Sequence, residues 1–121
     1  MTVEALGAAC VAAVAAAVDS GLAPQAEALR WGVRYLLGLL AERAPGRAVE
    51  VRIPPYAAIQ CICGPRHARG TPPNVVETDA VTWIMLATGG ISWSSAVLGG
   101  RVRASGPRAD LSAHLPLAAA E

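Results

Sequence analysis

The sequence predicts an α+β domain with helices gathered on one face of a mostly antiparallel sheet. Two observations lead to this prediction, the order of the helices and strands and the absence of βαβ alternation. Two helix-like segments come first, short alternating strands follow them, and two short helices, another strand and a terminal turn or helix complete the 121 residues. The sequence shows no βαβ alternation with glycine-rich loops, the pattern typical of a parallel sheet. A chain of this length can bury a core that folds without disulfides or metal.

We predict one domain over residues 1–121, with an N-terminal helical extension at 1–22, a core at 24–117 and a tail at 118–121. The extension contains the uncharged segment ALGAACVAAVAAAV, which is shorter than the roughly 20 residues of a membrane span. It follows Glu4, whereas a signal peptide begins with a basic region. We therefore expect an alanine-rich helix without a membrane span, in a cytoplasmic protein.

The segment QAEALRWGVRYLLGLLAERA predicts the second helix. Pro24 suits its first turn and the Pro45-Gly46 pair ends it. Trp31 and Tyr35 form a second, narrower apolar ridge that the first helix is expected to cover. The main apolar stripe recurs at helical spacing and consists of Ala26, Leu29, Val33, Leu36, Leu37 and Leu40.

Alternation of apolar and polar residues predicts the strands. VEVRI has one buried and one wet face. YAAIQCIC is apolar on both faces except at Gln60, so we expect it inside the sheet. NVVET is a third, short strand, and Asn74 is expected to close the turn before it. RVRAS is a further strand, with Val102 and Ala104 facing inward.

Capping residues delimit the two short helices. Asp79, or Thr78 before it, caps the helix AVTWIMLAT, and Ser92 caps the helix WSSAVL. A Gly-Gly pair ends each of them. Because the first of these helices is apolar nearly all round, it must be covered on more than one side. Asp110 or Ser112 starts a terminal turn or helix.

Composition and motifs exclude several classes of function. The formal net charge of +1 provides no basic field for nucleic acid, so no nucleic-acid partner is expected. Cys10, Cys61 and Cys63 lack the spacing of a zinc site, and we expect reduced, buried thiols. His67 beside the latter two lacks a third ligand or an orienting group. There is no P-loop, dinucleotide fingerprint or pair of carboxylates on a helical face. We therefore predict no enzyme, no cofactor and no metal.

The second half of the chain is similar to a known family. TDAVTWIMLATGGISWSSAVLGGRVRASG resembles the C-terminal half of sterol carrier protein 2-like domains. APGRAVEVRIPPYAAIQCICGPRHARGTPPNVVETD, together with RADLSAHLPL, resembles bacterial sterol carrier family proteins of the actinobacterial type. The resemblance runs from about Ala26 to Leu117, so the first helix lies outside it. Each motif alone is weak, whereas their order and spacing are specific.

The resemblance implies a sheet of about five strands, helices over one face and an apolar tunnel between the two layers. In the wider family such a tunnel holds fatty acyl chains, sterols or similar lipids, and there are no shared catalytic residues. This chain departs from the pattern where GPRHARGTPP replaces a strand and where phenylalanine is absent. Its candidate cavity residues fit a lipid cavity or a close-packed core equally well: Leu36, Leu40, Trp83, Leu86, Ala87, Trp93, Val97, Leu111 and Leu115.

The segment GPRHARGTPP raises a second question. Arg66, His67 and Arg69, with the backbone amide of Thr71, form a candidate anion site at the rim of the cavity, suited to a carboxylate or phosphate head group. The alternative is a proline-stiffened connection whose arginines pair with neighbouring carboxylates or face water.

Two functional hypotheses follow. The first is a non-catalytic carrier that holds a lipid, fatty acid or sterol-like molecule between sheet and helices. The second is an interaction module without a lipid ligand, which forms a homodimer or docks onto a thiol-dependent enzyme.

Overall fold

The structure, a computed structural model, describes residues 1–65 and 73–118. The expected order of elements is confirmed, and the C-terminal element is a short 3-10 turn. The elements are α1 (Val3–Asp19), α2 (Ala26–Arg43), β1 (Val49–Ile53), β2 (Ala57–Cys61), β3 (Val75–Thr78), α3 (Ala80–Thr88), α4 (Trp93–Leu98), β4 (Val102–Ser105) and the 3-10 turn Ser112–His114.

The sheet is mixed. Its strand order is β2-β1-β3-β4, with antiparallel β1–β2 and β3–β4 pairs and a parallel β1–β3 pair. β3 lies on the side of β1 opposite β2 and runs parallel to β1, with Val76 as the partner of Val51. Within the described residues the sheet has four strands, whereas about five were expected. Two of its three pairings agree with the expected antiparallel arrangement.

In the sheet formed by residues 1–65 and 73–118, β2 is an edge strand, so the prediction that the second strand lies inside the sheet is wrong. The apolar residues of β2 are not buried on both faces of the sheet. Ala58 and Gln60 are exposed, Ala57 and Ile59 are half-buried, and only Cys61 is fully buried. Small alanine side chains add little apolar surface, so an edge position exposes little of it.

The helices form two layers on one face of the sheet. α2 packs against β2 and α3, and α1 packs on α2 and α3 from outside. The predicted stripe of α2 faces this core: four of its members are at most 1% exposed, Leu29 is half-buried, and Ala26 at the helix start is exposed. From α1, Val11 and Val14 enter the same core. The four fully buried members of the stripe are Val33, Leu36, Leu37 and Leu40.

α1 covers part of the Trp31–Tyr35 ridge. The ring of Tyr35 lies against Gly7 so closely that a Cβ at Gly7 would overlap it. Trp31 stays 36% exposed, and the guanidinium groups of Arg30 and Arg34 each lie 5.6 Å from its ring centroid. The first helix therefore covers the tyrosine and leaves the tryptophan at the surface.

The expected caps of the short helices are confirmed. Asp79 accepts a hydrogen bond from the amide of Thr82 at 2.8 Å, and Ser92 accepts one from the amide of Ser95 at 3.1 Å. Gly89 ends α3 in the left-handed conformation, with φ of 83°. α3 is buried on several sides, as its composition requires.

The opposite face of the sheet is polar. Glu50 and Arg52 of β1 form an ion pair of 2.9 Å, and Glu77 of β3 pairs with Arg103 of β4 at 2.7 Å. On β4, Val102 is buried as expected, but Ala104 is exposed. None of the helices in residues 1–65 and 73–118 combines the length and apolarity needed to cross a lipid bilayer.

The three cysteines differ in exposure, and all are free thiols. Cys61 is buried, Cys10 is intermediate, and Cys63 is exposed, so the prediction of three buried thiols is met fully by Cys61, only in part by Cys10, and is wrong for Cys63. The reason is local: Ile62 adopts a φ of 66°, which ends the strand and breaks its alternation before Cys63. Burial raises the pKa of the Cys61 thiol to about 11.

Candidate functional site

An open groove of about 650 Å³ lies between the end of α3, the start of α4 and the C-terminal segment. Its volume is within the range of small-molecule sites. We call it the C-terminal groove, and its lining consists of Leu86, Gly89, Ile91, Ser92, Trp93, Ser94, Asp110, Ser112, Leu115 and Pro116.

The apolar part of this groove comes from three elements. Leu86 of α3 is almost fully buried at 2% exposure, whereas Ile91, Trp93 and Leu115 are half-buried. The left-handed turn at Gly89 reverses the chain after α3, and this brings Ile91 and Trp93 beside the helix end. An apolar guest would remove the partly exposed side chains from water, which favours binding.

The polar part of the groove comes from hydroxyl groups and one carboxylate. Ser92 and Ser94 stand at the start of α4, and the Ser92 hydroxyl also contacts the Ser95 hydroxyl at 2.8 Å. Across the groove, Asp110 accepts a hydrogen bond from the amide of Ser112 at 2.8 Å. Hydrogen bonds from Ser112 lower the pKa of Asp110, so this carboxylate is ionised at neutral pH.

Backbone contacts fix the C-terminal wall of the groove to the helices. The amides of Leu117 and Ala118 donate to the carbonyl of Ala87 in α3, at 2.7 and 3.1 Å. The guanidinium group of Arg43, the last residue of α2, donates to the carbonyls of residues 114, 116 and 117 at 3.2, 2.8 and 3.4 Å. Arg43 thus holds a segment that is distant in sequence and has little regular structure of its own.

Asn74 anchors the chain that leads into this wall. Its side-chain amide donates to the carbonyl of Ala48 at 3.0 Å, and its side-chain oxygen accepts from the amide of Arg108 at 2.9 Å. Asn74 is 4% exposed. Gly106 permits this approach, because a Cβ there would overlap Asn74. The expected turn residue therefore connects Ala48, directly before β1, to the C-terminal segment.

The structure divides the predicted cavity residues into three groups. Leu86, Trp93 and Leu115 line the C-terminal groove. Val97 is 39% exposed on α4 and does not line it. The other five are fully buried in the core shared by the helices and the sheet, without lining the groove: Leu36, Leu40, Trp83, Ala87 and Leu111.

The predicted anion rim cannot be placed. Arg66, His67, Arg69 and Thr71 lie outside the described residues. The anion site therefore stays a prediction from the sequence.

Sequence reasoning missed most of the polar groove residues. From the sequence, Ser92 is predicted only as a helix cap, and Asp110 or Ser112 only as the start of a terminal turn or helix. One signal was available: hydroxyl residues cluster directly after the Gly-Gly turn that ends the third helix. The position of the C-terminal segment was not predictable from the sequence, because it depends on contacts between residues that are far apart in the chain.

Two smaller pockets lie elsewhere on the surface. One, of about 320 Å³, lies at the end of the β3–β4 pair and includes the Glu77–Arg103 ion pair. The other, of about 260 Å³, lies on the outer side of α1 and α2; we call it the α1–α2 patch, lined by Val3, Leu6, Gly7, Trp31, Arg34 and Tyr35.

An α+β fold with helices on one sheet face, beside an apolar groove with a polar margin, has the features of a small-molecule-binding domain. A family model described as "bacterial SCP ortholog" matches residues 25–117. The chain belongs to this family of bacterial sterol carrier proteins, as its motifs predicted. The family consists of carrier-type domains that are generally non-catalytic. No curated protein sequence matches the chain.

Proposed function

We propose that the protein is a non-catalytic carrier domain that binds a hydrophobic or amphipathic small molecule in the C-terminal groove. The observation that supports this proposal is the groove itself, whose lining residues all lie within the region matched by the carrier family. Leu86, Trp93 and Leu115 would contact the apolar part of the ligand. The serine and aspartate side chains would meet its polar end.

The expected affinity for a simple probe is modest. Burying a ten-carbon alkyl chain contributes about 8 kcal/mol at roughly 0.8 kcal/mol per CH₂. Association costs at least about 4 kcal/mol. The difference corresponds to a Kd of about 1 mM, and an open groove that covers only part of the chain would bind more weakly. NMR titration measures this range, and it also reports where a probe binds.

The test is a titration of the ¹⁵N-labelled protein with 1,2-decanediol. We expect shifts of amides around Leu86, Trp93 and Leu115. Leu115→Gln should weaken binding about threefold or more, since it replaces apolar contact with a polar group of similar length. Leu98→Gln is the matched control, because Leu98 is 89% exposed on α4 and does not line the groove.

Either of two results would contradict this proposal. The first is the absence of any saturable shift with decyl probes. The second is a set of shifts confined to another surface, such as the α1–α2 patch, with unchanged affinity in Leu115→Gln.

The α1–α2 patch favours a second candidate function, in which this face joins two copies of the chain. Val3 is 80% exposed and Leu6 is 41% exposed, so water contacts apolar side chains that flank Trp31. Arg34 lines the patch and Glu4 follows Val3 in the first turn of α1, so the two helices that form this face carry both signs of charge. In a two-fold pair, each acidic group can meet the basic group of the other copy.

Light scattering tests this candidate on the full chain. Association through the patch predicts the mass of a dimer for the wild type and of a monomer for Leu6→Glu, whereas Leu98→Glu should leave the mass unchanged. A wild-type protein that stays monomeric at high micromolar concentration would exclude it. Deleting α1 would not test association by itself, because the deletion would also remove Val11 and Val14 from the core.

A further inference from the structure

The charge of the C-terminal groove restricts the polar end of its ligand. Among the described residues that line it, Asp110 is the one ionised side chain, and the other polar groups are serine hydroxyls. We infer that the groove selects amphiphiles whose head group donates hydrogen bonds, a hydroxyl or an ammonium, over those that end in a carboxylate. This inference rests on the proposed carrier function and specifies its ligand class.

Asp110 has unused capacity to accept hydrogen bonds. One of its oxygens accepts from the amide of Ser112. A carboxylate offers about four acceptor positions. Within residues 1–65 and 73–118, Asp110 forms no ion pair shorter than 4.0 Å. A ligand donor can therefore bind the carboxylate without displacing any cation of the described residues.

The cations near Asp110 in the part of the chain that the structure describes do not reverse this charge. Arg43, behind the C-terminal wall, is engaged with three backbone carbonyls and does not line the groove. The guanidinium group of Arg108 lies beside Gly64, also outside the groove lining. His114 is half-buried on the same segment and, when protonated, favours the ionised form of Asp110. The side chains that face Asp110 from α3 and α4 are uncharged.

A ligand carboxylate would place a second negative charge in the groove, whereas an ammonium would pair with the first. Asp110 is exposed, so each of these interactions changes affinity by a factor of about 1.5 to 5. Between an ammonium and a carboxylate with the same alkyl chain, the expected ratio of dissociation constants is about 2 to 25.

The experiment compares decylammonium, 1,2-decanediol and decanoate by NMR titration at pH 7 and low salt. We expect decanoate to bind most weakly. Asp110→Asn should bring the Kd values of decylammonium and decanoate together. An asparagine oxygen can still accept from the Ser112 amide, so this variant keeps the local turn. Asp19→Asn, at the exposed end of α1, is the matched control and should keep the wild-type ratio.

The outcomes separate the inference from the proposal beneath it. If decanoate binds as tightly as the other two probes, or if the ratio persists in Asp110→Asn, head-group selection by Asp110 is wrong and the carrier proposal stands. If none of the three probes binds, the carrier proposal itself is overturned. A preference for decylammonium over the diol would assign the selection to charge. Equal affinity for these two would assign it to hydrogen-bond acceptance.

Discussion

Replacing Asn74 by aspartate should destabilise the fold in a pH-dependent way. The Asn74 amide nitrogen donates to the carbonyl of Ala48 at 3.0 Å, and its oxygen accepts from the amide of Arg108 at 2.9 Å. Aspartate keeps the oxygen that Arg108 needs. It replaces the donor, however, with a second oxygen directed at the carbonyl of Ala48. At 4% exposure, water cannot compensate for this contact.

The magnitude follows from comparison with alanine. Asn74→Ala removes both hydrogen bonds and leaves two backbone groups with lost partners, which costs about 1–3 kcal/mol. Asn74→Asp at pH 7 buries an uncompensated charge as well, and we expect a loss of about 3–5 kcal/mol. Burial and the facing carbonyl raise the pKa of the new carboxyl in the folded state above its unfolded value of about 3.9.

The sign of the pH dependence follows from this raised pKa. Between the unfolded and folded pKa values the native state binds more protons than the unfolded state, so the stability of the variant falls as pH rises through this interval. Below it, the protonated carboxyl can donate to Ala48 and the penalty disappears.

Urea unfolding, followed by circular dichroism and by the fluorescence of buried Trp83, measures these effects between pH 4 and 8. Both variants share all other titratable groups. Comparing Asn74→Asp with Asn74→Ala at each pH therefore cancels the contribution of those groups to the pH dependence of stability. At low pH Asn74→Asp should be the more stable of the two variants, and its unfolding free energy should fall below that of Asn74→Ala as pH rises. A difference between the two variants that is constant with pH, or an Asn74→Asp protein as stable as the wild type at pH 7, would refute the assigned hydrogen bonds.

Three further results are expected. Asp79→Ala should lower the free energy of unfolding by about 1–2 kcal/mol, since it removes the acceptor for the amide and hydroxyl of Thr82. In urea unfolding, Asp79→Ser should recover most of this loss. Equal stability of the wild type and both variants would contradict the cap. Arg43→Ala should accelerate amide exchange in the C-terminal segment and weaken 1,2-decanediol binding, because three carbonyls lose their donor; unchanged exchange and affinity would show that this arginine does not position the wall. Iodoacetamide at pH 8 should modify exposed Cys63 and spare Cys61, whose pKa burial raises to about 11; peptide mapping by mass spectrometry decides, and equal modification of the two thiols would refute the assigned burial.

Features that depend on near neighbours in the chain were predictable from the sequence. The apolar spacing of the second helix predicted its buried stripe, and Asp79 and Ser92 predicted the starts of the short helices. In each case the decisive interaction is within one to four residues. The alternation in VEVRI likewise predicted which face of β1 is buried.

Features that depend on distant partners were not predictable. Strand β2 has an apolar sequence suited to the centre of a sheet, but β1 takes that place because β3 pairs with its other side. The C-terminal groove depends on contacts between residues far apart in the chain, such as the hydrogen bond from the amide of Leu117 to the carbonyl of Ala87. Residue type alone also does not separate core residues from groove residues. Trp83 and Trp93 are both candidates for the cavity wall, but Trp83 is fully buried and Trp93 lines the groove.

The position of α1 shows how the matched region and the rest of the chain depend on each other. α1 lies outside residues 25–117, yet Val14 is fully buried in the core. Gly32 of α2 explains the close approach, since a Cβ there would lie 3.5 Å from Val11 and 3.3 Å from Ile84. Glycine in a helix interior is about 1 kcal/mol less favourable than alanine. The packing of three helices at this point offsets that loss. Because its inner face is committed to this packing, α1 can contact a partner only through its outer face. The α1–α2 patch and the C-terminal groove can therefore be tested independently by single substitutions.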